Sequence, residues 1–240
     1  MRLVVKNLLM ETNLNKLEER IHIEFKNREL LRNVFVHRSY LNENRDFELP
    51  SNEKLEFLGD SVLSLATSIY LYHKYAHLQE GDYTDIKAAI VRTESLADVA
   101  KEIGLGDFLY LSHGEEKGKG RTKTNILADV FEALIAAIFI DQGFDRAYKF
   151  ITEYLFAERL DHIVDNKLYL SPKSRLQEIT QAQYKDLPVY ELIEATGPEH
   201  KKTFTVHVLV NGEIKGEGTG KSKKQAEENA AQNALELLTK

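Results

Sequence analysis

The chain has 240 residues, of which 42% are hydrophobic and 29% are charged, and its formal net charge is −6. These values are typical of a globular protein with one large or two small domains, and they exclude a uniformly basic nucleic-acid-binding protein. The absence of Cys excludes disulfide bonds, a thiolate nucleophile and Cys-ligated metal centres.

Hydrophobic segments in the chain are short. Lys6 and Asn7 interrupt the first apolar stretch, which is too early for the core of a signal peptide. The longest apolar run, from Ala133 to Ile140, is far shorter than a membrane-spanning helix. We therefore expect a cytoplasmic protein that does not associate with a membrane.

Helical periodicity dominates the sequence up to about residue 160. Apolar residues recur there at spacings of three and four, which predicts an all-α domain over residues 1–160. The Gly- and Lys-rich segment 114–123 is predicted to be a loop, and its bases fit a grip on phosphate and a solvated surface equally well. The predicted helices cover residues 14–22, 28–38, 52–76, 84–103, 125–141 and 144–158.

A polar stretch that ends before Pro172 predicts a linker over residues 161–171, followed by a small α+β domain over residues 172–240. Its elements are predicted in the order α-β-β-β-α, and Asn211-Gly212 predicts a tight hairpin between the last two strands. The predicted strands are Val189–Thr196, Thr203–Val210 and Glu213–Thr219, and the flanking helices cover residues 173–183 and 222–238.

The segment Ile126–Ile140 predicts a buried helix that carries two acids. Thirteen of its fifteen residues are apolar, and the exceptions are Asp129 and Glu132. Three residues apart, these carboxylates share one helix face, and no Lys or Arg lies three or four residues from either. Their desolvation and mutual repulsion are unfavourable without compensation, and a divalent cation would supply it.

A second helix carries Glu53, Glu56 and Asp60 at spacings that place them on one stripe. Packing this stripe against the Asp129 and Glu132 face would create a pocket of four or five carboxylates. Oxygen ligands suit Mg²⁺ or Mn²⁺, which assist phosphoryl chemistry. Taken alone, the first three acids fit a solvated helix face equally well.

Three segments resemble motifs of ribonuclease III, a family of endonucleases that cut double-stranded RNA. They are residues 52–63, residues 126–134 and the run from His37 to Tyr40, although Val36 stands where we expect Thr. The resemblance implies Mg²⁺ as the cofactor, with Mn²⁺ able to substitute. No nucleotide cofactor is expected, because Lys215 stands where a P-loop requires Gly five positions before Gly220. It also implies that the catalytic metal ligands are Glu56, Asp60, Asp129 and Glu132, with Glu53 and Glu80 as accessory acids.

The second domain resembles a double-stranded-RNA-binding domain. The lysines near residue 222 lie at a helix start, where free backbone N–H groups favour phosphate binding, although they also fit solvated helix-end charges. This domain holds ten basic and ten acidic residues, so we expect modest, salt-sensitive affinity. The RNA contacts implied by the resemblance are Gln177, Glu178, Gly197, Pro198, His200, Lys221, Ser222, Lys223 and Lys224.

The resemblance implies a homodimeric endoribonuclease that processes ribosomal and other structured RNA precursors and leaves 5′-phosphate and 3′-hydroxyl ends. The dimer would form through the endonuclease domain. Leu55, Phe57 and Leu58 fit a two-fold interface or an ordinary core. Two alternatives stay open from the residues alone: a non-catalytic RNA-binding protein with the same fold, and a metal-dependent phosphohydrolase of small nucleotides.

Overall fold

Two long helices, α4 (Glu53–Lys74) and α8 (Thr124–Gln142), pack against each other in the first unit of the chain. The computed structural model describes residues 14–198 and 201–238. Three residues named in the sequence predictions lie outside these ranges: Lys6, Asn7 and His200. The chain divides into two compact units, Met1–Ile163 and Val164–Lys240.

The other elements of the first unit are short. A helical segment over residues 14–21, α1, precedes α2, and a π-helical turn at Thr152–Phe156 separates the last two helices. One-turn 3₁₀ segments lie at Leu105–Phe108 and Gly120–Thr122. The remaining helices are α2 (Arg28–Val34), α3 (Arg38–Glu43), α5 (Glu80–Ile90), α6 (Thr93–Ile103), α7 (His113–Lys117), α9 (Phe144–Ile151) and α10 (Ala157–Asp165).

Several predicted boundaries were wrong. The predicted helix 28–38 ends early, at Val34, and α3 begins only at Arg38, because the backbone at Val36 pairs with Tyr110 in an isolated parallel bridge. The predicted helix 84–103 breaks at Arg92, whose backbone is extended before α6. The segment 114–123 is not a plain loop, since it holds part of α7 and a 3₁₀ turn. The first residues of the predicted linker 161–171 belong to α10, which ends at Asp165. The linker itself and the domain bounds 1–160 and 172–240 stay predictions.

Gly59 allows α4 and α8 to approach closely. A Cβ atom at this position would lie 1.9 Å from the backbone carbonyl oxygen of Glu132, so any side chain would push the helices apart. Around this contact α8 is buried on nearly every side, as its apolar sequence predicts. Burial of such side chains, at about 25 cal/mol per Å², drives the packing of the first unit.

The second unit is a three-stranded antiparallel sheet in the order β1-β2-β3 with two helices packed on one face. Its core is formed by Leu176, by Val206 and Val208 of the central strand, and by the Ala-rich face of the last helix. The elements are α11 (Pro172–Tyr184), β1 (Val189–Thr196), β2 (Thr203–Val210), β3 (Glu213–Gly220) and α12 (Lys223–Leu238). The predicted fold class, an all-α domain followed by an α-β-β-β-α domain, is confirmed.

The hairpin between β2 and β3 follows from its turn sequence. Asn211 and Gly212 both adopt positive φ angles, 53° and 78°, as a tight turn between twisted strands requires. Behind the hairpin, a Cβ atom on Gly218 would lie 2.1 Å from the backbone nitrogen of Ala230, so α12 rests almost directly on β3. No helix among the described residues combines the length and hydrophobicity needed to cross a bilayer.

Gly59→Ala is expected to destabilise the protein by about 2 kcal/mol. The added methyl group meets the backbone of Glu132, which cannot move aside as a flexible side chain could. This cost exceeds the gain of about 1 kcal/mol that Ala brings to a helix interior. The free energy of unfolding in urea measures the effect.

Gly81→Ala is the matched control, since a Cβ atom there meets nothing within 4 Å. It should be neutral or slightly stabilising. Equal stability of the Gly59 variant and the wild type would contradict the close helix contact.

Candidate functional site

Three acids from α4 and α8 meet at the contact between these helices. Glu56, Asp129 and Glu132 each offer one carboxylate oxygen, and these oxygens all lie within 4.8 Å of one another. Each of the three side chains is half-buried. We call these three residues the carboxylate cluster. Its acids come from helices far apart in sequence, so the helix packing itself assembles it.

Burial and repulsion make the cluster unfavourable in its charged form. Burial raises the pKa of Glu132 to about 8, and the negative charges of Asp60, Glu56 and Asp129 add to the shift. Burial also raises the pKa of Glu56, with Asp129 and Glu53 contributing. The pKa of Asp129 is raised by burial as well. In the absence of a cation, therefore, the cluster retains protons that ordinary acids would release.

The other predicted acids lie outside the cluster. Asp60, one turn beyond Glu56 on α4, is exposed and lies outside the group of three, but its charge is the largest charge effect on Glu132. Glu53 is also exposed, and it accepts a hydrogen bond of 2.8 Å from the Ser51 hydroxyl. Glu80 lies exposed at the start of α5 and is not part of the cluster.

A base that sequence spacing did not reveal lies beside these acids. Arg38, at the start of α3, places Nη1 3.6 Å from Oε1 of Glu53, and its charge lowers the pKa values of Glu56 and Asp129. Spacing within one helix cannot reveal this arginine, because it comes from another element. Its position next to His37 in the early motif was the available signal.

The carboxylate cluster fits a divalent cation. Its donors are all carboxylate oxygens, the ligands that Mg²⁺ and Mn²⁺ prefer, and they are close enough to share one ion. Burial is the main cause of the raised pKa values, and a bound cation would offset its effect on the charged carboxylates. Among the described residues, this is the group of acidic or His side chains that meets the distance requirement for a metal site.

The predicted RNA contacts of the second unit are exposed wherever the structure describes them. Lys221, Lys223 and Lys224 lie at the start of α12, as predicted. Ser222 also has a structural role, since its hydroxyl accepts a hydrogen bond of 3.2 Å from the backbone of Gln225, and Gln225 accepts one from the backbone of Lys221. These reciprocal bonds are similar to a capping box and fix the start of the helix.

The remaining predicted contacts lie on α11 and at the end of β1. Gln177 and Glu178 are exposed on α11, and Glu178 accepts a hydrogen bond from the Lys167 ammonium group. Gly197 has a φ of 92°, and a Cβ atom there would lie 2.7 Å from the carbonyl oxygen of Lys201, so glycine fits this turn. Pro198 follows it and is exposed. His200 lies outside the described residues.

Comparison with protein families identifies both units. A family model described as ribonuclease-III-like matches residues 27–159, and one described as a double-stranded RNA binding motif matches residues 172–238. The chain belongs to the ribonuclease III family. The cluster and its surrounding acids lie within the first match, and the exposed lysines of α12 lie within the second.

Ribonuclease III proteins from several bacteria are similar to this chain over most of their length. Ribonuclease 3 of Listeria innocua is 43% identical over 227 residues, which cover 93% of this chain and 97% of the relative. Ribonuclease 3 of Oceanobacillus iheyensis is 43% identical over 231 residues, with 94% and 98% covered. A crystal structure of the ribonuclease III nuclease domain from Campylobacter jejuni is 38% identical, has a TM-score of 0.56, and covers 61% of this chain and 96% of that domain.

The stability of the metal-free ribonuclease III chain should depend on Glu132. Because folding raises the pKa of Glu132 to about 8, the folded protein holds this proton more tightly than the unfolded chain does. The resulting stabilisation is fully present below the unfolded pKa and is lost as pH rises through about 8. Glu132→Gln removes this loss, so in EDTA its melting temperature should gain on the wild type by roughly 2 °C or more between about pH 5 and about pH 8.

Glu94→Gln, which removes an exposed carboxylate from α6, is the control for this measurement. Thermal unfolding followed by circular dichroism gives the melting temperatures. A constant difference between Glu132→Gln and the wild type across this pH range would contradict the assignment of the raised pKa.

Proposed function

We propose that this chain cleaves both strands of double-stranded RNA by hydrolysis that depends on Mg²⁺ held at the carboxylate cluster. The enzyme class follows from the family: the chain is a double-strand-specific endoribonuclease of the ribonuclease III type. The observation that supports the metal site is the approach of three half-buried carboxylates to within 4.8 Å of one another. An RNA-holding protein without activity would have no need to assemble such a repulsive group.

The proposed ligands are Glu56, Asp129 and Glu132, with Asp60 as a fourth carboxylate from the same stripe of α4. A bound divalent cation supplies a lowered pKa for an attacking water and positive charge beside the departing 3′ oxygen. Without the cation, Glu132 keeps a proton near neutral pH, since its pKa is about 8. Manganese, with the same preference for oxygen ligands, is expected to substitute for Mg²⁺.

Access to the cluster is open on the side of α4 that carries Glu53 and Asp60, because both side chains are exposed. The opposite side is closed by the apolar body of α8. The phosphate backbone of RNA would therefore approach along the exposed acids. The expected products carry 5′-phosphate and 3′-hydroxyl ends, and the expected substrates are ribosomal and other structured RNA precursors in the cytoplasm.

Binding of the duplex is assigned to the second unit. Lys221, Lys223 and Lys224 surround the start of α12, where free backbone N–H groups also favour an anion. Gln177 and Glu178 on α11, the turn at Gly197 and Pro198, His200, and the Ser222 hydroxyl are the proposed further contacts. Recognition of this kind reads the shape and 2′-hydroxyl groups of an RNA duplex rather than its base sequence.

A homodimer through the first unit would give one cluster for each RNA strand. One of the Campylobacter jejuni nuclease-domain structures, 39% identical to this chain with a TM-score of 0.55, is described as having a region involved in dimer formation. In this chain the side chain of Phe57, next to Glu56, is 79% exposed. Leu65 and Tyr72 are exposed on the same face of α4, so an apolar stripe is available for a second copy.

Glu132→Gln should lower the rate of duplex RNA cleavage by about a hundredfold or more, because a neutral amide binds a divalent cation poorly. Cleavage of a long RNA duplex with Mg²⁺, measured with and without EDTA, gives the rates. Single-stranded RNA and duplex DNA serve as substrate controls, and Glu94→Gln is the protein control.

Persistent cleavage by Glu132→Gln would contradict the metal assignment. Cleavage of duplex DNA at the rate of duplex RNA would contradict the substrate assignment. Duplex RNA binding without cleavage by the wild type would favour the non-catalytic alternative.

Phe57→Lys should convert the dimer to a monomer. Burial of one Phe contributes about 1.5–3 kcal/mol, and two-fold symmetry doubles the loss to at least about 3 kcal/mol per dimer. Size-exclusion chromatography with light scattering measures the mass. Ile214→Lys, at a side chain of the second unit that is 59% exposed, is the control and should leave the mass unchanged. A monomeric wild type would contradict the proposed dimer.

A further inference from the structure

Arg38 is the base that lies beside the carboxylate cluster. Its side chain is 74% exposed, and Nη1 is 3.6 Å from Oε1 of Glu53, whose side chain is 54% exposed. An exposed ion pair at this distance contributes little to stability. Stability therefore gives no strong reason for an arginine at this position.

The backbone that carries Arg38 is held firmly by neighbouring segments. The amide of His37 donates to the carbonyl of Tyr110 at 3.3 Å, and the hydroxyl oxygen of Ser39 accepts from the amide of Ser112 at 3.2 Å. His37 caps α3, with Nδ1 2.7 Å from the Ser39 hydroxyl oxygen. The exposed Arg38 side chain therefore extends from a firmly held backbone.

Asn52 connects the backbone that precedes Arg38 to α4, one of the two helices that carry the acids. This residue is 3% exposed, its backbone amide donates to Val36 at 2.9 Å, and its side-chain amide donates to Val34 at 3.0 Å. Asn52 immediately precedes α4, so these bonds fix the start of α4 relative to the start of α3. The position of Arg38 over the acidic stripe is therefore built into the fold.

Arg38 places a positive charge at the edge of a strongly acidic surface. The positive charge of Arg38 acts on both Glu56 and Asp129, because it lowers their pKa values against the rise that burial causes. RNA brings a line of negative phosphates to a surface that is already strongly acidic. A guanidinium at the edge of that surface would hold a phosphate group with two parallel hydrogen bonds. The acids of this surface are Glu53, Glu56, Asp60, Asp129 and Glu132.

We propose that Arg38 leaves Glu53 when RNA binds and holds a backbone phosphate of the strand that lies over the carboxylate cluster. This inference rests on the proposed function and assigns to Arg38 the positioning of the substrate. The exchange is favourable because a weak, solvated ion pair is replaced by a bidentate contact with phosphate. Glu53 keeps the guanidinium near the site in the free enzyme.

A purely electrostatic role makes a different prediction. If Arg38 only reduced repulsion among the acids, its removal would change the Mg²⁺ concentration at half-maximal activity and leave RNA binding alone. If it holds a phosphate, its removal weakens RNA binding and reduces the dependence on salt, because one fewer counterion is released.

The test compares Arg38→Gln, Arg38→Lys and the control Arg45→Gln, which removes an exposed arginine from the loop after α3. Steady-state cleavage of a short RNA duplex gives kcat and KM at several salt concentrations. Fluorescence anisotropy gives RNA affinity in a Glu132→Gln background with Mg²⁺ present. Thermal unfolding checks that each variant is folded.

Arg38→Gln should lower kcat/KM by about tenfold or more and make the slope of log affinity against log salt shallower by about one. Arg38→Lys should keep the slope and recover part of kcat/KM. Lysine retains the positive charge but lacks the planar guanidinium that donates two parallel hydrogen bonds. Because Lys keeps the ion pair with Glu53, this variant also tests the inference if Arg38→Gln fails to fold. Arg45→Gln should change neither quantity.

An unchanged salt slope for Arg38→Gln, with or without a shift in the Mg²⁺ requirement, would overturn the inference. So would a slope for Arg38→Lys as shallow as that expected for the Gln variant. The proposed function fails separately, through persistent cleavage by Glu132→Gln. An inactive Glu132→Gln enzyme beside a fully active Arg38→Gln enzyme would remove only the role of Arg38.

Discussion

The backbone contact between α4 and α8 at Gly59 is the constraint on which the candidate site depends. Glu56 and Asp60 flank Gly59 on one helix, and the Glu132 carbonyl that Gly59 touches belongs to a residue of the cluster on the other. The approach of two backbones therefore sets the distance between the acids. The two helices fix where each acidic side chain begins, since each acid lies inside a regular helix packed over much of its length.

That contact holds charges together against their own repulsion. Burial raises the pKa values of Glu56, Asp129 and Glu132, and neighbouring negative charges add to the rise at Glu56 and Glu132. Hydrophobic burial along α8 offsets this cost. Native proteins often accept such local cost where function needs it. A bound cation would offset this cost, and Arg38 at the edge relieves only part of it.

The sequence revealed the parts of the site that follow from local spacing. Asp129 and Glu132 were visible because their helix has no other polar side chain, and Asn211-Gly212 predicted its hairpin through turn chemistry. Periodicity did not reveal the break at Val36, since apolar residues continue through it and the pairing partner, Tyr110, is distant in sequence. The contact between Arg38 and Glu53 could not be predicted either, because it depends on how the starts of α3 and α4 are held together.

The placement of the acids within helices also limits how the gene can change. Each residue of a helix advances the chain by about 100°, since a turn takes 3.6 residues. Deletion of one codon between Glu56 and Asp60, or between Asp129 and Glu132, would rotate one acid away from the others. The segments that connect these helices are not subject to this constraint, because a change in their length does not rotate one acid relative to another. Natural length variation should therefore fall in the connections, while α4 and α8 keep a constant count between their acids.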